Sequence, residues 1–230
     1  MINLAIVVLL SYVIGSIPTS IMLSKWGHGF DIRTKGSGNA GGTNVFRVLG
    51  WKSGVFVMAV DMGKGVLVTA LISRLFWDPA LPFYNQTPFD DFTIIQMICG
   101  GMAIVGHIWT VFAGFKGGKG IATGAGMLLG LVPTEFAISI GVFFLVFLVY
   151  KYVSLGSIAG AVAFPLSLFI RHNIFGDEIQ SYKTLIVFSL SVAVLLVYSH
   201  RQNIKRLIEG TEKKITGFTR EKARETSTPS

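Results

Sequence analysis

Five stretches of this chain, residues 1–24, 92–115, 136–150, 152–170 and 184–200, contain no Lys, Arg, Asp or Glu. A helix needs roughly 20 mainly apolar residues to cross a hydrocarbon core about 30 Å thick. Several of the runs meet or approach that length, and nothing else accounts for so many of them in 230 residues. The fold class they imply is all-α, a polytopic integral membrane protein. Composition agrees: 51% of the residues are hydrophobic and 14% charged, against about 25% charged in an average soluble domain. The first run lacks a basic leading segment, and its apolar stretch continues past any small-residue cleavage site, so it reads as a retained span. Cys99 is the single cysteine; it lies inside an apolar run and reads as a core thiol.

Charge orients the spans, because Lys and Arg are retained on the cytoplasmic side. Lys25, Arg33, Lys35, Arg47 and Lys52 stand against one acid, Asp31, in the first loop. That loop is therefore expected inside and the N-terminus outside. A second span at 53–74 leads to an acidic loop with Asp78, Asp90 and Asp91, expected outside. A third at 93–112 returns to Lys116 and Lys119. Spans at 154–170 and 184–199 precede a basic tail, again expected inside. Parity then requires residues 120–150 to cross an even number of times, divided at Pro133-Thr134-Glu135. The expectation is seven transmembrane helices, some short or broken, with the N-terminus outside and the C-terminus cytoplasmic. A re-entrant pair at 120–150 is the alternative. Residues 1–212 are expected to form one transmembrane domain and 213–230 a polar, disordered tail.

Four polar clusters fall on the side assigned as cytoplasmic. The first runs from Lys35 to Arg47, KGSGNAGGTNVFR. Its glycines, Gly36 and Gly38 among them, allow close backbone approach, and successive N–H groups in such turns form anion-binding nests. Ser37, Asn39, Thr43 and Asn44 add hydrogen bonds, and Arg47 offers a fork of donors suited to phosphate. A plain flexible polar loop is the competing reading. The second cluster, Gly106 to Gly124, holds His107, Lys116, Gly117, Gly118, Lys119 and Gly120. It lacks Walker spacing, yet a glycine loop with two lysines opening into a helix favours an anion. The third is a turn containing Ser154. The fourth, SHRQNIKRLIEGTEKK, carries His200, Arg201 and Asn203, and basic juxtamembrane helices commonly just meet anionic headgroups.

Two further patterns are set aside. His172 and Asp177 form H-x4-D, but chance spacing is common and the pair falls on the outer side. Asp61 and Lys64, three residues apart in span two, share a helix face and neutralise one another as a structural pair.

GSGNAGGTN with Arg47, then GHIWTVF with KGGKGIAT, then SHRQNIKRLIEGTE resemble, in that order, the acyl-phosphate-dependent glycerol-3-phosphate acyltransferases of bacterial membranes. The resemblance reaches from the N-terminus to about Glu212, and Thr110 stands where the family usually has Pro. It implies acyl transfer from acyl phosphate to the 1-hydroxyl of sn-glycerol 3-phosphate, giving lysophosphatidic acid and phosphate at the inner membrane. It further implies a catalytic core of Ser37, His107, Lys119 and Asn203. Arg47 and His200 would hold the acceptor phosphate with Ser154 close by, and Gly117, Gly118 and Gly120 would line the acyl-phosphate site. His107 and the acceptor's own phosphate are the two candidate bases. No cofactor, metal, nucleic acid or protein partner is expected. The rival from another class is a transporter of a phosphorylated metabolite, which would place its site near the midplane. An intramembrane hydrolase using Ser37 ranks below it, since Ser37 lies in a loop.

Overall fold

In a computed structural model, which describes residues 2–75, 90–212 and 214, helix covers each of the five charge-free runs and no strand occurs among the described residues. The helices are α1 (Ile2–Gly15), α2 (Thr19–His28), α3 (Gly42–Leu49), α4 (Trp51–Val66), α5 (Asp91–Ile108), α6 (Ile121–Leu131), α7 (Pro133–Tyr150), α8 (Val153–Asn173), α9 (Tyr182–Ser199) and α10 (Arg201–Ile208). Asp78 and the expected disordered tail fall outside the described residues, apart from Lys214.

Among the described residues, six helical stretches are long and apolar enough to cross a membrane: Leu4–His28, Trp51–Arg74, Asp91–Ala113, Pro133–Tyr150, Val153–Asn173 and Tyr182–Ser199. The segment at 120–150 divides at Pro133 into a full-length helix and the shorter Ile121–Leu131. At 1.5 Å per residue α6 alone spans about 16 Å, half of a hydrocarbon core.

The first apolar run breaks between α1 and α2 because Pro18 has no N–H to donate. Carbonyls freed by that break find side-chain donors. Lys64 Nζ donates to Ile17 O at 2.7 Å, and the Thr110 hydroxyl donates to Ser16 O. Thr110 has φ −68°, the value a proline ring fixes, so the family's usual Pro and this Thr fit the same turn. The Thr adds a hydrogen bond that Pro cannot make. Near the end of the second span the helix widens into a π turn over Leu67–Leu71, and Thr69 O accepts from both Gln96 Nε2 (3.2 Å) and Ser73 Oγ (2.7 Å).

The chain divides into two compact units. The first comprises residues 1–137 and 168–188. Within it α1 packs on α5, and α3 and α6 pack on α4. Small residues let backbones approach where no hydrophobic effect separates helix from lipid. At the α4–α6 crossing a Cβ on Gly65 would collide with Thr123 O, and one on Gly126 with Met62 O. Cys99 is fully buried among Val7, Val68, Ile95 and Ala103, a core thiol as expected. At the other end of α5, Asp90 caps the helix by accepting from Thr93 N (2.8 Å). Its N–H bonds Thr184, and Thr93 bonds Ser181. Glu135 pairs there with Arg171, which also holds Asp177 at 2.8 Å.

The second unit comprises residues 138–167 and 189–230. Gly156 and Gly160 bring α8 against the carbonyls of Phe143 and Ser139 on α7. The outer faces of α7 and α9 keep large apolar side chains exposed, such as Leu145 (65%) and Leu195 (67%), as lipid contact requires. Glu212 folds back to accept from Ser154 (2.7 Å), Asn203 (2.8 Å) and Arg206 (2.6 Å). Hydrogen bonds from Asn203 and Ser154, with the Arg206 guanidinium beside them, pull its carboxyl pKa down from 4.5 to about 2.

Two outcomes follow. Gly126→Leu should force α4 and α6 apart and lower the thermal midpoint in detergent, where Gly101→Leu, with open space around it, should not. The Glu212 carboxylate is favoured by the fold, so its contribution is complete above about pH 4.5 and disappears as pH falls through about 2. Glu212→Gln should therefore unfold more readily than wild type at neutral pH, with the gap closing under strong acid. Equal midpoints at neutral pH would show that the cluster contributes nothing.

Candidate active site

Two loops of the first unit are built onto each other before either meets a ligand. In the first, Ser24 Oγ accepts from Ile32 N (3.1 Å) and Ser20 Oγ donates to Ala40 O (2.7 Å). Asn44, buried at the start of α3, is its internal bracket. The side-chain amide donates to the carbonyls of Ile32, Lys35 and Asn39 and accepts from Ser37 N at 2.8 Å. Gly36, at φ +62°, lies so close to Asn44 Oδ1 that a Cβ has no room. Arg33 ties this loop to the second by donating to Ala113 O (2.9 Å) and Lys116 O (3.2 Å). Asp31 grips the same guanidinium at 2.7 Å, and Arg33 holds its carboxyl well below the usual carboxylate range.

The second loop closes on the end of α5. Gly117 N donates to Ile108 O (2.9 Å) and Gly118 N to His107 O (3.1 Å). A Cβ at Gly117 would strike His107 O, and one at Gly118 the His107 ring. Gly120, at φ +75°, turns the chain into α6.

Between these loops lies a cavity of about 580 Å³. Its polar wall carries Ser37, Asn39, Thr43, Asn44, Arg47, His107 and Lys119. Gly41 and Gly42 at the start of α3, and Gly120 and Ile121 at the start of α6, reach the same space. Two helix N-termini therefore present unpaired N–H groups and positive dipole ends to one cavity, an arrangement suited to anions. Arg47 and Lys119 make no ion pair among the described residues, so both cations remain available to such an anion. Apolar side chains line it as well: Met58, Met62, Ile121, Ala122 and Ala125.

The expected residues thus separate by task. Ser37, Asn39, Thr43, Arg47, His107, Lys119 and Gly120 line the cavity; Asn44 lines it while also bracing the loop. Gly36 and Gly38 shape the loop through positive φ. Gly117 and Gly118 spend their N–H groups on α5 and line a much smaller chamber behind His107. Lys116 is exposed, and its carbonyl serves Arg33. The remaining four belong to the second unit. Ser154 and Asn203 bond Glu212, His200 Nδ1 lies 2.9 Å from Leu196 O, and the Arg201 guanidinium covers the Tyr198 ring.

His172 faces the backbone carbonyl of Asp177, whose carboxylate is taken by Arg171, and its ring stacks on Tyr182. The H-x4-D spacing is accordingly no base–carboxylate pair. Three contributors escaped the sequence reading. Asp61 does pair with Lys64 (2.6 Å), but it also lines the cavity, with Oδ1 3.8 Å from His107 Nδ1. Arg33 read as one more basic loop residue. Glu212 was the acid closing a basic run, a signal that could have marked it.

The family described as Glycerol-3-phosphate acyltransferase matches residues 5–210. A glycerol-3-phosphate acyltransferase of Chlorobium limicola is 42% identical over 238 aligned positions, covering 94% of this chain and 98% of the relative. That of Chlorobium luteolum is 43% identical with the same coverage. Among solved structures, the integral membrane glycerol 3-phosphate acyltransferase PlsY (YgiH), in its glycerol 3-phosphate form, superposes with a TM-score of 0.65 at 32% identity, covering 92% of this chain and 95% of that one. Its lysophosphatidic acid form matches equally well, at 31% identity. With three motifs in order, a cavity built from two of them, and relatives matched over nearly their whole length, this chain belongs to the glycerol-3-phosphate acyltransferase family.

Proposed function

We propose that this acyltransferase moves an acyl group from an acyl phosphate to the 1-hydroxyl of sn-glycerol 3-phosphate, releasing lysophosphatidic acid and inorganic phosphate. The observation that carries this reading is the mixed lining of the cavity, with paired helix N-termini, Arg47 and Lys119 together with apolar Met58, Met62 and Ala125. An acyl phosphate is itself mixed, an anion joined to a hydrocarbon chain, and the acceptor brings a second phosphate. A transporter of a small phosphorylated metabolite has no use for the apolar lining.

In this reading the acceptor hydroxyl oxygen attacks the acyl carbon, and its proton passes to one of the two candidate bases, His107 or the acceptor's own phosphate. The new ester C–O bond replaces the anhydride C–O bond, and phosphate leaves with both electrons of that bond. Lys119 and the α6 N-terminus balance the charge growing on the leaving phosphate, while Arg47 and the first loop hold the acceptor phosphate. Ser37 hydrogen-bonds the reacting groups. The roles of Ser154, His200, Arg201 and Asn203 rest on the motif match.

We also infer seven crossings within one catalytic domain over 1–212. The chain leaves His107 at the C-terminal end of α5, and after α6 reaches Glu135. Glu135 pairs with Arg171, whose following loop bonds Thr93 at the N-terminal end of α5. That path supports α6 with its flanks as a full crossing. Together with the Lys and Arg distribution it supports an N-terminus outside and a cavity facing the cytoplasm of a bacterial inner membrane.

Purified protein given palmitoyl phosphate and glycerol 3-phosphate should release phosphate and lysophosphatidic acid in equal amounts, and acyl-CoA should not replace the donor. No product from a folded, monodisperse sample would sink the reading. Lys119→Ala should cut turnover by roughly 10²-fold or more without lowering the thermal midpoint. Activity above about a tenth of wild type would remove Lys119 from the transition state.

A further inference from the structure

The second loop turns through two successive left-handed residues, Gly114 (φ +65°) and Phe115 (φ +59°). Glycine adopts that conformation freely, but in any other residue the Cβ crowds the following carbonyl oxygen. A bulky side chain persists there only where the surroundings hold it. Packing does not hold this one, because Phe115 is 58% exposed. Phe115 N donates to Thr110 O at 2.8 Å, which supplies part of the support. The rest comes from the first loop. Arg33 directs Nη1 at Ala113 O (2.9 Å) and Lys116 O (3.2 Å), the carbonyls on either side of the left-handed pair. Asp31 takes the other two guanidinium nitrogens: Nε donates to Oδ1 at 3.0 Å and Nη2 to Oδ2 at 2.7 Å. The acid thereby sets the plane of the fork and aims Nη1 at the turn. Among the described residues, these two bonds from Nη1 are the hydrogen bonds that join the loops.

We propose that Arg33 is a positioning residue for acyl transfer: it clamps the Gly114-Phe115 turn in its left-handed form and so sets the separation between Ser37 on the first loop and Lys119 on the second. The proposal rests on the reading of Lys119 as the group that faces the leaving phosphate. Ser37 follows Arg33 by four positions, Lys119 follows Phe115 by four, and both line the cavity. Without the clamp Phe115 falls back to negative φ, which redirects the chain entering Lys116 and carries Lys119 from its place. Misplacement of a catalytic group by about 1 Å is enough to slow a reaction steeply. Arg33→Lys keeps the charge but loses the planar fork that holds an acid and two carbonyls together.

The rival account makes Arg33 a cation that only stabilises the loop. Such a role moves the thermal midpoint and leaves kcat of the folded enzyme alone. Positioning predicts that Arg33→Lys, purified in detergent and monodisperse, has kcat lower by roughly 10-fold or more. Adding Phe115→Gly should bring kcat back to within about three-fold of wild type, because glycine needs no clamp at this φ. Adding Phe115→Ala should restore nothing, since alanine keeps the Cβ that strains the turn. Phe115→Gly alone should show wild-type kcat. Wild-type kcat in folded Arg33→Lys overturns the proposal, as does a loss that Phe115→Gly fails to restore or that Phe115→Ala restores equally. If Arg33→Lys does not fold, Asp31→Asn carries the same test, because it leaves the guanidinium in place but loosens its plane. It should lower kcat several-fold and respond in the same way to the two substitutions at Phe115; wild-type kcat there overturns the proposal. Wild-type kcat in Lys119→Ala overturns it together with the role of Lys119, while acyl transfer by the native enzyme stands. Absence of product from the native enzyme would instead remove the acyl-transfer reading itself.

Discussion

A carbonyl released by a helix break inside a membrane has no water to turn to, and leaving it bare costs several kcal/mol. The break after Gly15 leaves two outside the helix ladder, at Ser16 and Ile17; a side chain from elsewhere in the chain meets each, and Ile17 O also takes Thr19 N at 3.0 Å. Thr110 reaches one from just beyond α5, and Lys64 reaches the other from α4. Meeting that requirement draws α1, α2, α4 and the end of α5 to one point. Lys64 can be buried there only because Asp61 lies beside it, since an unpaired ammonium in such a place would be far costlier than the pair. The ion pair is thus a consequence of the helix break, and His107 stands next to it.

The same economy governs the loops. Glycines are spread through both, but few of them face the cavity with a free N–H. Gly117 and Gly118 use theirs to close the second loop onto α5, and Gly36 makes room for the Asn44 bracket. What remains for an anion are the first turns of α3 and α6, aimed at the same space by loops whose own hydrogen bonds are already made. A site prepared in this way does not need to reorganise as charge develops, and this is where electrostatic catalysis gains most. Close α4–α6 contact through Gly65 and Gly126 holds the lining residues that the two helices contribute at a fixed separation.

Much of this was legible beforehand. Charge-free runs are long-range signals that survive any packing detail, so the all-helical membrane character and five of the span positions could be read directly. The division of 120–150 at Pro133 was legible too, because proline acts on local backbone geometry. Thr110 was harder: its departure from the family's proline raised a question about the turn, and only its φ and its bond to Ser16 answer it. Arg33 was invisible as a contributor because its partners lie in another loop, and Glu212 was marked only as the acid closing a basic run, its partner Ser154 lying on another helix.

The sequence by itself determined that the chain belongs in a bilayer, where its apolar runs lie, and which motifs carry phosphate-binding residues, since these depend on residue type and short spacing alone. The tertiary structure decided which of those residues share a cavity and which build it. Asp61 shows the difference most plainly. Its spacing from Lys64 declared the ion pair, but its neighbourhood with His107, 46 positions along the chain, exists only because α4 and α5 meet at the broken first helix. Contacts between residues so far apart are set by which helices can approach closely and satisfy each other's backbones, and no local pattern encodes that.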